Sequence, residues 1–401
     1  MTTTTPPVLR PPSPPGPIRW LKKNLFSSWY NALLTIAATV FLFFLLRGLL
    51  RWVLFQANWE PVANSLKLFA VGQYPLAELW RIGVMLLVVS FLFGLSWRVW
   101  GGTMGTFALA VAAGLGLLAL LPIGLDKLPL TARLWLLANP LLTGGGFLVG
   151  RFIRRPRWVL LGWGLSFVLL IVLLSGIPGA SWLPRVESSL WGGLLLTFLL
   201  AIVGIVASFP FGVLLALGRR SSLPVLKVFC ALFIELVRGV LLVTILFMFS
   251  IVLPLFLPEQ VRIDRVVRAM LAMTVFASAY MAENVRGGLQ AIPRGQVEAA
   301  KALGLSGFHV TLLIVLPQAL RMVIPTIVGQ FIALFMDTTL AYIVGLTELL
   351  TIGRAVLQSR KEWLLLDMEV FVFIAALFWV FTYAMSYASR RLEKALGVGQ
   401  R

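Results

Sequence analysis

A polar segment inside an otherwise apolar chain has the residue types and spacing of a short helix that docks on a surface. From residue 292 to residue 304 it reads Ile-Pro-Arg-Gly-Gln-Val-Glu-Ala-Ala-Lys-Ala-Leu-Gly. Pro293 suits the first helical turn and Gly304 suits a left-handed end. Val297, Ala300 and Leu303 recur at helical spacing on one face. We expect this helix to lie against the lipid surface or against another protein.

Two pairs of opposite charges stand three residues apart in apolar segments. Glu235 and Arg238 form the first pair, and Glu283 and Arg286 form the second. Residues at this spacing are neighbours on a helix, so the sequence predicts that each pair neutralises itself. Charges within a membrane also mark transport pathways. Each pair could therefore be a structural ion pair or part of a substrate pathway. The second pair could also form a gate at the cytoplasmic mouth.

A third polar group has no partner at helical spacing. Asp337 is followed by Thr338 and Thr339, and no Lys or Arg lies within one turn of it. The carboxylate could accept the α-ammonium group of an amino acid while the threonine hydroxyls bind its carboxylate. The alternative is an ion pair between Asp337 and another helix or a partner chain.

The composition shows which elements must position these groups. Of all residues 60% are hydrophobic and 12% are charged, against about 25% charged in soluble domains. Apolar runs near or above ~20 residues indicate membrane-spanning helices. We predict an all-α polytopic membrane protein with about ten spans. The predicted spans are 27–52, 80–97, 103–123, 132–150, 158–175, 190–217, 228–257, 265–285, 319–341 and 367–389.

The net charge of +19 is explained by the placement of the basic residues. Lys and Arg concentrate in alternate loops, whereas the opposite loops carry mixed charge. This positive-inside pattern predicts that both termini lie in the cytoplasm. It also argues against a nucleic-acid partner.

Several chemistries lack their usual residues. Cys230 is the only cysteine and His309 the only histidine, so we expect no disulfide framework and no metal site. The sequence has no Gly-x-x-x-x-Gly-Lys-Ser/Thr loop for ATP phosphates. We expect no catalytic residues, and an energy source on another chain.

The chain changes character near residue 185. We predict a disordered, Pro-rich cytoplasmic tail over 1–24 and accessory transmembrane helices over 25–184. We predict a functional core over 185–395, which contains the short polar helix at 293–304. Spans in the core carry ionisable residues and are interrupted by Gly and Pro.

Several motifs in the core resemble those of importer-type ABC permeases. In this family Glu-Ala-Ala is followed by Gly four residues after the second Ala, and then by Leu-Pro. The chain resembles most the polar amino-acid branch, and in particular the long permease of general L-amino-acid transporters. The motifs are Glu298-Ala299-Ala300 with Gly304 and Leu316-Pro317, Phe209-Pro210-Phe211-Gly212, Glu235-Leu236-Val237-Arg238-Gly239, Ala282-Glu283-Asn284-Val285-Arg286-Gly287-Gly288 and Asp337-Thr338-Thr339. The chain differs in having Leu241 where the family usually has Pro, and Met336 where it usually has Lys.

The resemblance implies a transport subunit of the bacterial inner membrane that is not itself an enzyme. Its partners would be a second permease subunit of a different chain, two ATPase subunits that bind ATP and Mg, an extracytoplasmic amino-acid-binding protein, and membrane lipid. It implies that the polar helix couples the permease to the ATPase through Arg294, Gln296, Glu298, Ala299, Ala300, Lys301, Leu303 and Gly304. A secondary, ion-coupled transporter is the alternative, although the two halves differ too sharply in polarity for inverted repeats. A membrane enzyme is disfavoured because the chain lacks a catalytic constellation.

Overall fold

The computed structural model describes residues 16–120, 130–153 and 155–397. Within these ranges the chain is helical and forms no β-strand. The extended backbone makes only isolated bridges, between Gly72 and Trp191 and between Gly193 and Glu348. The predicted all-α fold is confirmed. The chain divides into two compact units, residues 1–58 and 59–401.

The first unit contains a short helix and one long apolar helix. They are α1 (Pro17–Asn24) and α2 (Trp29–Arg51), and a π-helical turn, Trp52–Gln56, extends α2. None of the α2 residues is buried within the chain, which suits a span that faces lipid. Residues 17–24 are helical where the sequence predicted a disordered tail, because Pro17 begins the helix and fixes its first turn. The rest of that prediction, residues 1–15, lies outside the described residues.

The second unit begins with two short helices and four long ones. Two of the long helices, Leu79–Trp100 (α5) and Leu130–Val149 (α7), cross closely. A Cβ atom on Gly94 would lie 2.0 Å from the carbonyl oxygen of Thr143, and a Cβ atom on Gly146 would lie 2.1 Å from the carbonyl oxygen of Phe91. Only glycine allows the backbones to approach this far, as is common between membrane helices. The helices are α3 (Glu60–Asn64), α4 (Leu66–Val71), α5 (Leu79–Trp100), α6 (Gly102–Leu120), α7 (Leu130–Val149) and α8 (Arg157–Ser175).

The remainder of the second unit holds the predicted functional residues. At its centre the helix Arg265–Gln290 (α13) packs against the helices Gly193–Arg219 (α9) and Leu316–Asp337 (α16). This packing buries Leu200, Met273 and Leu334. The helices are α9 (Gly193–Arg219), α10 (Pro224–Arg238), α11 (Leu242–Phe247), α12 (Leu253–Phe256), α13 (Arg265–Gln290), α14 (Arg294–Ala302), α15 (Gly307–His309), α16 (Leu316–Asp337), α17 (Leu349–Gln358) and α18 (Asp367–Leu396).

The predicted count of ten spans is not confirmed. Seven helices of the described chain are long and apolar enough to cross a membrane, and a bent pair raises the count to eight at most. The predicted spans 103–123 and 132–150 correspond to α6 and α7, which are not among the seven. Residues 121–123 of the former lie outside the described residues.

The predicted span over 228–257 is broken in the structure. Two helical segments, Pro224–Arg238 and Leu242–Phe256, meet there at an angle of 106°. α10 ends at Arg238, and Leu241 takes an extended conformation with φ −68° and ψ 143°. The carbonyl oxygen of Leu241 then accepts hydrogen bonds from the N–H groups of Thr244 and Ile245. The helix therefore breaks at this position without a proline.

Three distant segments of the second unit meet at two adjacent glycines. The N–H of Gly193 donates to the carbonyl oxygen of Thr347 at 2.8 Å. A Cβ on Gly193 would lie 2.3 Å from the carbonyl oxygen of Phe69, and a Cβ on Gly72 would lie 2.5 Å from the Cα of Gly192. The start of α9 is thus enclosed by the segment before α5 and the segment before α17.

A buried arginine ties the same region to the end of α8. The Arg81 side chain is fully buried; its Nε pairs with Glu78 at 2.7 Å, and Nη2 donates to the carbonyl oxygen of Pro184 at 2.9 Å. Nη1 donates to the carbonyl oxygen of Leu173 at 3.3 Å, in the last turn of α8. A cation is favourable at a helix C-terminus. The predicted boundary near residue 185 stays a prediction, since helices on both sides of it belong to one unit.

Candidate functional site

The short polar helix predicted at 293–304 is present as α14. It runs from Arg294 to Ala302, and Pro293 is its N-cap instead of lying in the first turn. Gly304 has a φ of +82°, the left-handed conformation that the sequence predicted for the end of the helix. The N–H groups of Gly304 and Leu305 donate to the carbonyl oxygens of Lys301 and Ala300, which closes the C-terminal end.

The two faces of α14 differ in burial. Ala300 is buried, and it packs with Val297 in a cluster that includes Val310 and Val315. Leu303 does not share this face, because the helix ends before it and its side chain is 83% exposed. Apart from Ala300, every predicted coupling residue lies on the surface: Arg294, Gln296, Glu298, Ala299, Lys301, Leu303 and Gly304.

An ionic cluster brings together the C-terminal ends of α9 and α10 and the C-terminal part of α13. Arg219 Nη2 lies 2.6 Å from Glu235 Oε1, and Arg219 Nη1 lies 3.7 Å from Glu283 Oε2. Arg238 Nη1 is also 3.7 Å from Glu283 Oε2. Arg286 Nε donates to Glu283 Oε2 at 2.9 Å, and a second hydrogen bond joins Arg286 Nη2 to Glu283 Oε1. The Glu283 carboxylate therefore contacts three guanidinium groups.

The structure confirms one predicted pair and corrects the other. Glu283 and Arg286 are paired as expected. Glu235 does not pair with Arg238; it turns to Arg219, while Arg238 turns to Glu283. The helix spacing allowed the predicted pair, but two neighbouring helices offer better-placed partners.

Two members of this cluster were missed by the sequence reasoning. Neither Arg219 nor Tyr280 was singled out as a site residue. The Tyr280 ring lies 5.5 Å from the guanidinium carbon of Arg238, a cation–π distance. Arg219 and Glu283 are too far apart in sequence for any spacing rule to join them. The position of Tyr280, one helical turn before Glu283, was the only available signal.

Asp337 lies apart from this cluster, at the C-terminal end of α16. Its side chain is half-buried, and no hydrogen bond or ion pair joins it to another described residue. Thr338 is buried and its hydroxyl donates to the carbonyl oxygen of Phe335 at 2.7 Å. The Thr339 hydroxyl donates to the carbonyl oxygen of Met336 at 2.9 Å. Both hydroxyl protons are thus donated to the backbone, so neither hydroxyl is free to donate to a substrate carboxylate as the sequence predicted. Thr338 is fully buried, whereas the Thr339 hydroxyl keeps lone pairs that could accept an ammonium proton.

A cavity of the described chain lies away from these groups. It measures about 450 Å³ and lies between α5, α6 and α7, lined by Trp97, Ala112, Gly116, Pro140 and other small or apolar residues. None of the predicted site residues lines it. The candidate site is therefore a set of exposed and half-buried groups on the helices of the C-terminal part.

Comparisons with known proteins identify the family. Residues 208–398 match the family described as the inner membrane component of binding-protein-dependent transport systems. The inner membrane amino-acid ABC transporter permease YhdY of Escherichia coli K12 is 37% identical over 398 residues, which cover 95% of this chain and 93% of that protein. The chain belongs to the amino-acid ABC transporter permeases.

Two further relatives show how the permease is built. BztC of Rhodobacter capsulatus, a glutamate/glutamine/aspartate/asparagine transport system permease, is 35% identical over 431 residues, covering 96% of this permease and 95% of its own length. GlnP of Bacillus subtilis, a probable glutamine permease, is 35% identical over 204 residues; this is 51% of the permease but 92% of GlnP. The permease is thus a long form whose matching half corresponds to nearly the whole of a short form. It is an inner-membrane transport component.

Proposed function

We propose that this permease translocates polar L-amino acids and is driven by separate ATPase subunits that dock on α14. The observation that supports this most directly is the exposed polar face of α14, which begins after Pro293, is closed at its C-terminal end and packs through a buried alanine. A rigid helix of this kind can transmit force, whereas a flexible loop would absorb it. The relatives include transporters of glutamate, glutamine, aspartate and asparagine, which supports polar amino acids as the substrate class.

The attachment of α14 suggests how movement would reach the membrane. α14 follows α13 after a short connection and packs on the π-helical segment Val310–Val315 that leads into α16. α13 and α16 cross closely, since a Cβ on Gly288 would lie 2.7 Å from the carbonyl oxygen of Ala319. A displacement of α14 would therefore move the inner ends of both helices together.

The ionic cluster stands where this movement would act. Glu283 lies two turns before the end of α13 and contacts Arg219 of α9 and Arg238 of α10. We propose that Glu235, Arg238, Glu283 and Arg286 belong to the substrate pathway or its inner gate. A second group of polar side chains along the pathway would be formed by Asp337, Thr338 and Thr339.

The assembly that this function requires has several components. A second, different permease chain would complete the pore. Two ATPase subunits would bind ATP and Mg, and an extracytoplasmic amino-acid-binding protein would deliver the substrate. Both termini of the permease would lie in the cytoplasm, together with α14.

Substitution of Glu298 tests the coupling role. We expect Glu298→Arg to leave the permease assembled in the membrane but to abolish substrate-stimulated ATP hydrolysis and uptake in vesicles that contain the whole complex. Glu362→Arg, another exposed acid far along the chain, is the matched control and should retain both activities. Normal uptake by the Glu298→Arg complex would contradict the assignment.

A cross-link tests the position of the ATPase directly. Leu303 is 83% exposed beside α14, so a Leu303→Cys variant should be captured by a short bifunctional thiol reagent on an ATPase subunit with a cysteine in its docking groove. Capture from the outer side of the membrane only would exclude the coupling role. Uptake driven by an ion gradient in vesicles without ATPase subunits would instead favour a secondary transporter.

A further inference from the structure

The C-terminal helix α18 places two arginines at the level of lipid headgroups. From Val370 to Ser389 the helix has twenty residues without a charged side chain. At 1.5 Å per residue this stretch is about 30 Å long, which matches the hydrocarbon thickness of a bilayer. Arg390 and Arg391 follow at once, so their side chains stand where the acyl chains of lipids end and the phosphates begin.

The two arginines are held by neutral groups of the preceding turn. Arg391 donates from Nε and Nη2 to the Tyr387 hydroxyl, at 3.0 and 2.7 Å. Arg390 donates from Nη1 to the Ser386 hydroxyl at 2.7 Å. The guanidinium carbon of Arg390 lies 5.9 Å from the centre of the Tyr383 ring, and that of Arg391 lies 5.3 Å from the centre of the Tyr387 ring. These contacts fix the direction of each guanidinium group without neutralising its charge.

No carboxylate of the described residues forms an ion pair with either arginine. The nearest acid in sequence, Glu393, accepts a hydrogen bond from the Ser389 hydroxyl at 2.8 Å. Both arginines are exposed. A guanidinium group has five N–H donors, so most of the donors here remain free for an acceptor outside the chain.

An aromatic surface continues from the arginines toward the middle of the span. Trp379 and Tyr383 stack with ring centroids 5.4 Å apart, and their side chains are 64% and 52% exposed. Trp379, Tyr383, Tyr387 and Arg391 succeed one another at four-residue spacing, so they form one stripe along α18. A lipid lying along this stripe would place its acyl chain on the rings and its headgroup at the arginines.

We propose that this end of α18, formed by Tyr383, Ser386, Tyr387, Arg390 and Arg391, binds the phosphate headgroup of an anionic phospholipid. Guanidinium forks match phosphate oxygens in pairs and bind them by charge-assisted hydrogen bonds. Basic residues next to a span attract anionic lipids. The depth of the two arginines, their free donors and the adjoining aromatic surface together fit a lipid better than a soluble anion.

Photolabelling of the full chain in vesicles tests this proposal. The permease is reconstituted in phosphatidylcholine with a small fraction of phosphatidylglycerol or phosphatidylcholine that carries a photoreactive acyl chain. Labelling of α18 is then measured by mass spectrometry. We expect more than fivefold stronger labelling by phosphatidylglycerol. In Arg390→Gln/Arg391→Gln the preference should fall to near one, because the basic residues next to the span supply the attraction to the anionic headgroup.

Matched variants separate a built site from diffuse attraction. Arg151→Gln/Arg155→Gln removes two other exposed arginines and should leave the labelling of α18 unchanged. Tyr387→Phe keeps every charge and should lower the preference two- to threefold, because Arg391 loses its hydrogen-bond acceptor. If the double arginine variant fails to fold, the Tyr387→Phe variant still tests the proposal.

Three results would overturn the proposal. The first is an equal loss of the preference for phosphatidylglycerol in the Arg151/Arg155 control, which would show that the basic residues attract anionic lipids without a defined site. The second is displacement of the lipid by inorganic phosphate beyond the effect of chloride at the same ionic strength. The third is equal labelling of α18 by the two lipids in the native chain.

Discussion

Arg219, the last residue of α9, binds the carboxylate of Glu235 at 2.6 Å, although Arg238 lies one turn from Glu235 on the same helix. Arg238 contacts Glu283 instead. The partner of each charge is thus set by the crossing of three helices and not by spacing along one of them. Glu235 is 65% exposed, so the pair with Arg219 is a surface ion pair whose energy we expect to be small.

A double-mutant cycle distinguishes the two possible partners of Glu235. We expect a coupling free energy of about 0.5 kcal/mol between Arg219→Gln and Glu235→Gln, the usual size for an exposed pair. The cycle between Arg238→Gln and Glu235→Gln should give a value near zero. Both are measured from the thermal unfolding of the purified full chain. A larger coupling in the second cycle would restore the pair that the sequence predicted.

Asp337 is expected to affect transport more than assembly. Removing a charged acceptor from the amino-acid path costs about 1.5–3 kcal/mol, so Asp337→Ala should lower uptake about ten- to a hundredfold. Co-purification of the ATPase subunits should be unchanged. Asp367→Asn, an exposed acid at the start of α18, is the control. Unaltered uptake kinetics in the Asp337 variant would remove this residue from the pathway.

Two neighbouring glycines test whether the packing of α5 on α7 matters to transport. A Cβ on Gly146 would lie 2.1 Å from the carbonyl oxygen of Phe91, whereas a Cβ on Gly145 meets nothing within 4 Å. We expect Gly146→Ala to destabilise the chain by about 1–3 kcal/mol. Gly145→Ala should be neutral or slightly stabilising, since alanine favours helix. Thermal unfolding gives the stability, and uptake by the complex then shows whether these helices support transport.

Glu348 caps α17 from a fully buried position. Its carboxylate accepts hydrogen bonds from the N–H groups of Leu350 and Thr351 and from the Thr351 hydroxyl. Glu348→Ala leaves these donors without an acceptor and should cost about 1–2 kcal/mol of stability. Glu362→Ala, at an exposed acid, should have little effect. An unfolding temperature unchanged by Glu348→Ala would show that the cap is not important.

The same residue predicts a pH dependence. Burial raises the pKa of Glu348 above its ordinary value of 4.5, although the hydrogen bonds from Leu350 and Thr351 act in the opposite direction. The folded state therefore holds this proton more tightly than the unfolded state does. Its contribution is complete below about pH 4.5 and is lost as the pH rises through the folded pKa. The difference in Tm between the native chain and Glu348→Gln should fall as the pH rises from about 4.5 through the folded pKa. A difference in Tm that does not change with pH would contradict the prediction.

Local features of the sequence were enough to predict α14. Its ends are specified by Pro293 and Gly304, and its polar residues contrast with the apolar segments around it. The predicted limits differ from the observed helix by only one or two residues. Leu303 was placed on the wrong face because the periodic pattern continues past the residue where the helix stops.

Features that depend on contacts between helices could not be predicted in this way. The hydropathy of residues 228–257 is continuous, and it gives no sign of the 106° bend after Arg238. The exchange of partners between Glu235 and Arg238 likewise depends on α9, whose last residue supplies the nearer guanidinium group. Helical spacing identifies which charges can meet, but only the packing of the helices decides which of them do.

The contact of Gly72 with Gly192, and of Gly193 with Phe69 and Thr347, has a consequence for shortened forms of the chain. A version that starts near residue 185 would match GlnP in extent, yet it would lose the backbone that covers these two glycines. The first turn of α9 would then be bare on one side, with no side chains of its own to fill the gap. Larger residues at 192 and 193 would not fill this gap, because Gly193 has a φ of +59° and a Cβ on Gly192 would lie 2.9 Å from the carbonyl oxygen of Thr347, which a trimmed chain retains. A shortened permease therefore needs another segment to cover the start of α9.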